Sequence, residues 1–215
     1  MSIRVSLHAV PGDESTWWWR RFLVEIPEGR QGQWAVRRFT VTPEQAAIDQ
    51  LRNSIRGTSH RSVAPDTYTA IEHQGEIVMS DTPAEIKDHL SFFENMRGDI
   101  LIFGLGIGMA AKAALEDPEV KSVRVVEIDP DVIALTAPTL LAKYGDKLTV
   151  VQADAFTYHK KCRDKFDAVW HDIWPTICAD NLPEMAKLKR SWARRAGWQG
   201  FWARIECLRS QRRYG

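Results

Sequence analysis

Residues 100–115 read ILIFGLGIGMAAKAAL. Four apolar residues, Ile100 to Phe103, run into glycines on alternate positions, Gly104, Gly106 and Gly108, and then into a stretch rich in alanine. An apolar run closed by glycines reads as a buried strand that turns into a helix. Glycine allows the sharp bend and lets a ligand approach the main chain. The helix behind it presents unpaired N–H groups and a partial positive charge to that ligand. Alone, the GxGxG spacing marks only a tight strand-to-helix turn.

Outward from this turn, residues 97–172 alternate between the two kinds of element. The strand DILIF precedes the helix GMAAKAALED, and the strand SVRVVEI precedes a helix opened by Asp129 as cap and Pro130 at its first position. KLTVVQA and FDAVWHD follow as strands. Near-continuous apolar strands alternating with helices predict a parallel sheet covered on both faces. Acidic residues stand at the ends of these strands. Glu127 closes the second, 21 positions after Gly106, where a carboxylate can accept the hydroxyls of a ribose. Asp154, in VQADAF, closes the third and can accept from an adenine amino group. Asp172, in VWHDIWP, closes the fourth. Each acid alone is equally a helix cap or a solvated loop residue. Together with the glycine turn they fall at four consecutive strand ends, and that coincidence points to a nucleoside site. Position 109, where a dinucleotide fingerprint has its third glycine, is Met109. Only 43 residues follow Asp172, and they read as helix, so a mononucleoside-sized ligand fits better.

The flanks differ from this core. Up to about residue 95, strand-like pieces (IRVSLHAV, TWWWRRFLVEI, WAVRRFTVT, YTAIEHQGEIVM) are separated by turn signals, with one helix over 42–57 and a shorter one, AEIKDHLSFFENM. From 180 onward the chain reads as two helices divided by Gly197 and Gly200, the first opened by a capping box of Asn181 and Glu184. Met185, Leu188 and Trp192 share one face, and Trp198, Trp202, Ile205 and Leu208 continue the stripe. The expected division is therefore a β-rich region over 1–95, a ligand-binding core over 96–178 and a helical tail over 179–215.

The 215-residue chain has 44% hydrophobic and 27% charged residues, with Lys and Arg (29) balancing Asp and Glu (28), so bulk charge selects no partner. Cys162, Cys178 and Cys207 form no CxxC pair, which suggests neither a disulfide framework nor a metal site. With no apolar run near the ~20 residues of a membrane span and no signal-peptide core, the expectation is a cytoplasmic protein without membrane contact. Three of the nine tryptophans are adjacent, Trp17 to Trp19. In a strand they would face both ways, which predicts core on one side and a contact between copies of the chain on the other. The tail carries Lys187, Lys189, Arg190, Arg194, Arg195, Arg204, Arg209, Arg212 and Arg213. Interleaved with tryptophan, this charge is either a solvated helix face or a surface for nucleic acid.

Residues 97–175 resemble the cofactor-binding half of class I S-adenosylmethionine (SAM)-dependent methyltransferases. GLGIG is similar to their glycine motif, VVEIDP to the ribose-binding acid and QADAF to the adenine-binding Asp. More narrowly, YTAIEHQGEIVMSDTPAEI before the glycine strand resembles spermidine synthases. The resemblance implies an α/β Rossmann-like methyltransferase fold with strand order 3-2-1-4, ending after the fourth strand. It implies SAM as cofactor, held by Gly104, Gly106 and Gly108 at the methionine and ribose, Glu127 and Ile128 at the ribose, and Asp154 and Ala155 at the adenine. Asp172 is placed at the cofactor and as the proton-accepting residue, equally readable as a cap. The chain departs from spermidine synthases at Val78, Lys87 and Trp174, where that family has Gln, Tyr and a second Asp. Those losses remove partners for a polycation. The favoured expectation is a methyltransferase of unknown acceptor. The alternatives are an aminopropyltransferase using decarboxylated SAM, or a non-catalytic module that binds SAM or nucleic acid. His171, on the opposite strand face from Asp172, reads as a packed or surface residue rather than a catalytic one, and Trp174 as pocket wall or core.

Overall fold

A computed structural model describes residues 18–55 and 61–214. The expected strand IRVSLHAV, Trp17 and Gly57 lie outside them. The apolar run at 100–103 is the middle strand of a five-stranded parallel sheet, and all four side chains are buried. In chain order the sheet strands are β5 (Gly98–Phe103), β6 (Val120–Glu127), β7 (Leu148–Gln152), β8 (Phe166–His171) and β9 (Ala196–Phe201), arranged β7-β6-β5-β8-β9. Helices α4 (Met109–Glu116), α5 (Pro130–Tyr144), α6 (Ala155–Tyr158) and α7 (Asn181–Trp192) form the crossovers, and α8 (Arg204–Tyr214) follows β9. Asp129 caps α5 as expected, its carboxylate accepting from the Asp131 N–H at 2.9 Å.

The sheet is one strand longer than the sequence suggested. The order 3-2-1-4 continues into a fifth strand, AGWQGF, inside the tail expected to be helical. Its glycines, taken as helix boundaries, answer a packing need. A Cβ at Gly200 would run into the rings of Trp198 on the same strand and Trp170 on β8. Trp170 is fully buried, stacked on Trp198 with the ring planes 5° apart. Asn181 is not a cap: its buried side-chain amide donates to the Thr176 carbonyl, while Glu184 accepts from Trp174. The basic residues of the tail are correspondingly divided among α7, the turn at Arg194 and Arg195 before β9, and α8, and Ile205 points to solvent at 60% exposure rather than continuing a buried stripe.

The N-terminal region forms a separate four-stranded antiparallel meander of β1 (Gly29–Gln31), β2 (Trp34–Val41), β3 (Asp66–His73) and β4 (Glu76–Ser80). Helix α1 (Pro43–Ile55) leaves β2, opened by reciprocal hydrogen bonds between Thr42 and Gln45. The described part of the tryptophan run, Trp18 and Trp19, lies in a 3-10 turn, Trp18–Phe22, not in a strand. The turn buries Trp19 against Tyr68 and stacks Phe22 on Phe93 at 4.4 Å. The expected single helix before β5 is two short ones, α2 (Pro83–Asp88) and α3 (Leu90–Phe93), joined at His89. The buried Asp81 carboxylate accepts from the N–H groups of Val24 and Thr69, fastening the segment after the 3-10 turn to β3.

Two measurements test this fold. A Cβ at Gly104, where φ is +93°, would land on the Asp172 carbonyl oxygen, whereas Gly145, also at positive φ (+52°), has open space around it. Gly104→Ala is expected to lower the unfolding free energy by about 2–5 kcal/mol, and Gly145→Ala by only about 1, in urea titrations. Burial pushes the Asp81 carboxyl up to about 6 despite its N–H partners. The stability linked to this shift is fully present below the unfolded value near 4 and is lost as pH rises through about 6. Between pH 5 and 7.5 wild type should therefore lose about 1 kcal/mol that Asp81→Asn does not.

Candidate functional site: a carboxylate-lined cavity at the sheet edge

The strand order fixes the sequence of side chains along the carboxyl edge of the parallel sheet. From one side to the other come Asp154 after β7, Glu127 at the end of β6, Gly104 after β5, Asp172 after β8 and Trp202 after β9. They line one cavity of about 400 Å³, within the size range of small-ligand sites. The N-terminal sheet supplies its opposite wall through Trp34, Ile71, Val78 and Met79. The indole N–H of Trp34 donates to Asp129 at 2.7 Å, so the two sheets meet at the cavity rim.

The three glycines of the turn do different things. Gly104 allows the backbone to pass the Asp172 carbonyl, and Gly106, at φ +49°, faces the sulfur of Met79. Both line the cavity. Gly108 does not. It starts α4 in the left-handed conformation, and a Cβ there would press on Leu140 of α5 at 2.6 Å. Its glycine is required by helix packing.

Each carboxylate of the cavity has a distinct set of partners. Glu127, nearly buried, accepts from the N–H groups of Leu105 (2.8 Å), Ile128 (2.7 Å) and Asp129 (2.9 Å). Three of its roughly four acceptor positions are thus filled, and one is left over. Ile128 also lines the cavity and is 64% exposed. Asp154 caps α6 by accepting from Phe156 N–H, beside Ala155 at the far end of the cavity. Asp129 holds Asp131 N–H and Trp34. The site therefore brings together Gly104, Gly106, Glu127, Ile128, Asp154, Ala155 and Asp172, and leaves Gly108 behind it.

Asp172 has a partner that the sequence reading missed. Its carboxylate is 2.8 Å from Nε2 of His89, a fully buried ring whose Nδ1 is 2.9 Å from the Glu85 carbonyl oxygen. Both ring nitrogens face acceptors, which requires both to carry protons. Burial opposes a charged ring, but Asp172 outweighs it and holds His89 above its ordinary value. The result is a buried imidazolium–carboxylate pair. Glu85, one turn before His89, also lines the cavity, and burial pushes its carboxyl up to about 7. The available signal was a helix reading E-x-x-x-H, whose spacing places both residues on one helix face.

His171 lies on the other face of β8 from Asp172, as the strand period required. It completes a row of rings across three strands, stacked on Phe103 at 5.2 Å and Phe201 at 4.4 Å. Burial lowers its pKa to about 3, so it is a neutral core residue. Trp174 is both cavity wall and core, its indole N–H bound to Glu184 at 2.8 Å. Among the described residues, no group of three His, Cys, Asp or Glu side chains is placed to hold a metal ion, and no helix is long and apolar enough to cross a membrane.

The family model of the spermine/spermidine synthase domain matches residues 85–185, the stretch from Glu85 through β8 into α7. A spermidine synthase from Thermotoga maritima is similar at 14% identity and a TM-score of 0.45, over 80% of this chain and 52% of that one. A methyltransferase from Podospora anserina, solved with S-adenosylhomocysteine bound, is similar at 20% identity and a TM-score of 0.42, over 55% of this chain and 49% of its own. The chain thus spans about half the length of these two structures. No curated protein matches it. Residues 85–185, with the glycine turn and the acid-ended strands among them, are thus the part of the chain similar to a spermine/spermidine synthase domain.

Proposed function

We propose that the protein is a SAM-dependent methyltransferase whose acceptor has a mainly apolar body. The observation that carries this reading is the make-up of the two ends of the cavity. At the β7–β6 end, Asp154, Ala155 and Glu127 offer what a nucleoside needs: an acceptor for an amino group, a backbone N–H and a carboxylate with one free acceptor position. At the β8–β9 end the walls are Ile173, Trp174, Pro175 and Trp202, faced by Val78 from the N-terminal sheet. A polyamine is charged along its length and needs acids along its path, and this end offers only Glu85 and Asp172.

In this reading Glu127 holds a ribose hydroxyl, with the Ile128 backbone beside it, and Asp154 with Ala155 N–H holds the adenine. The bends at Gly104 and Gly106 leave room for the methionine moiety. The bound SAM supplies an activated methyl group. The protein's own part is to position an acceptor against it, exclude water with the tryptophan walls, and manage the acceptor's proton.

A second reading rests on a different observation. The cavity is lined by five carboxylates (Glu85, Glu127, Asp129, Asp154 and Asp172) and, among the described residues, by no Lys, Arg or His. The carboxylate of SAM meets no side-chain cation there, whereas decarboxylated SAM carries no anion to be repelled. Together with the matched family, this supports aminopropyl transfer as the alternative.

Calorimetry distinguishes the two. S-adenosylhomocysteine is expected to bind wild type, and Glu127→Ala to weaken that binding at least tenfold, about 1.4 kcal/mol. SAM binding at least as tight as decarboxylated SAM supports methyl transfer. A tenfold or greater preference for the decarboxylated compound supports the second reading, and binding of none of the three overturns both.

A further inference from the structure

We propose that Glu85 is the residue that takes a proton from the acceptor, that the acceptor is an amine carried on an apolar body, and that Asp172, held by His89, positions rather than receives. The inference rests on the transferase reading above and names the substrate class and proton acceptor of the same site.

Of the five cavity carboxylates, four already accept hydrogen bonds from the protein's own donors. Glu127 spends three acceptor positions on backbone N–H groups. Asp129 and Asp154 cap helices α5 and α6. The charge of Asp172 is met by the His89 imidazolium, itself locked by the Glu85 carbonyl behind it. Glu85 remains. Glu85 lines the same cavity as Gly104, Asp172 and Trp174, its carboxyl interacts electrostatically with Asp172, and no hydrogen-bond donor to that carboxyl is found among the described residues.

The surroundings suit a proton acceptor. Burial raises the Glu85 carboxyl to about 7, with His89 and Arg61 pulling it down and Asp88 and Asp172 pushing it up. A group in that range exchanges protons at neutral pH. It is also matched to an ammonium far better than to an alcohol, whose proton is held much more tightly. Two acids and no cation at this end attract an ammonium, while Trp174, Trp202 and Val78 accept an apolar body. The proton balance is simple. One N–H bond of the bound ammonium breaks, the proton passes to a Glu85 oxygen, and the nitrogen keeps the electron pair and becomes the nucleophile. Glu85 returns the proton to water after the product leaves.

The test uses the full chain saturated with S-adenosylhomocysteine and 2-phenylethylamine as the ammonium probe, titrated calorimetrically at pH 7 in two buffers of different ionisation enthalpy. An ammonium placed beside a half-ionised Glu85 expels about half a proton per probe bound. Wild type should show that release, and it should vanish by pH 8.5. Glu85→Gln should release none and bind the probe at least fivefold more weakly. Asp172→Asn should bind more weakly yet keep the release, which a proton-accepting Asp172 would not allow. Carboxyl ¹³C-NMR of the wild type gives a check independent of any variant's folding: the Glu85 signal should titrate near pH 7 and move to lower pH with the probe. The proposal is overturned by unchanged release in Glu85→Gln, by release lost in Asp172→Asn alone, by a Glu85 signal that ignores the probe, or by a protein that binds S-adenosylhomocysteine but not the amine. Failure to bind S-adenosylhomocysteine at all would instead remove the transferase reading beneath it.

Discussion

The site depends on how closely two parallel strands approach at their ends. Where β5 leaves the sheet at Gly104, the chain runs against the Asp172 carbonyl with no space for a side chain between them. The Asp172 N–H donates to the Phe103 carbonyl at 2.8 Å and the Gly104 N–H to the Val126 carbonyl at 2.9 Å, so three strand ends are tied within one turn of backbone. That tie sets the spacing of Glu127, the glycine bend and Asp172. It also places Asp172 within reach of His89, which enters from the helices that precede β5.

A concave, largely apolar space lined by five carboxylates raises an electrostatic problem, because like charges in a poorly solvated space repel and resist ionisation. The fold meets it locally, acid by acid. Backbone N–H groups at the start of α5 and α6 and behind Glu127 act as fixed partial charges, and Asp172 has a full countercharge in His89. Glu85 has no such partner among the described residues, and the shift of its carboxyl is the residual of that repulsion and burial. The same principle explains why His171, one residue from Asp172, is inert: its ring has an amide and two phenyl faces around it and no carboxylate.

Much of this was legible in the sequence where one physical rule acts alone. Apolar runs interrupted by glycine gave β5 and its bend, and acids at strand ends gave Glu127, Asp154 and Asp172. The period of two residues put His171 on the far face. The reading failed where tertiary contacts override local pattern. AGWQGF has a strand's length but two glycines, which the rings of Trp198 and Trp170 at Gly200 and the approach of the Asp167 backbone at Gly197 explain. The tryptophan run reads as an alternating strand, but Trp19 and Phe22 are three apart and bury together on one side of a tight turn. Gly108 matches the glycine motif by spacing, yet its neighbours are Leu140 and Thr136 of α5, a relation no spacing reveals. His89 could not be connected to Asp172, 83 positions away, without knowing that α2 and α3 pack under β8.

The bond between Trp34 and Asp129 has a thermodynamic consequence. One wall of the cavity belongs to the antiparallel meander and the other to the parallel sheet, with this indole as a strut between them. A compound that fills the space touches both halves and therefore acts as a clamp. By reciprocity, whatever loosens the meander from the Rossmann-like half must weaken the hold on that compound to the same degree.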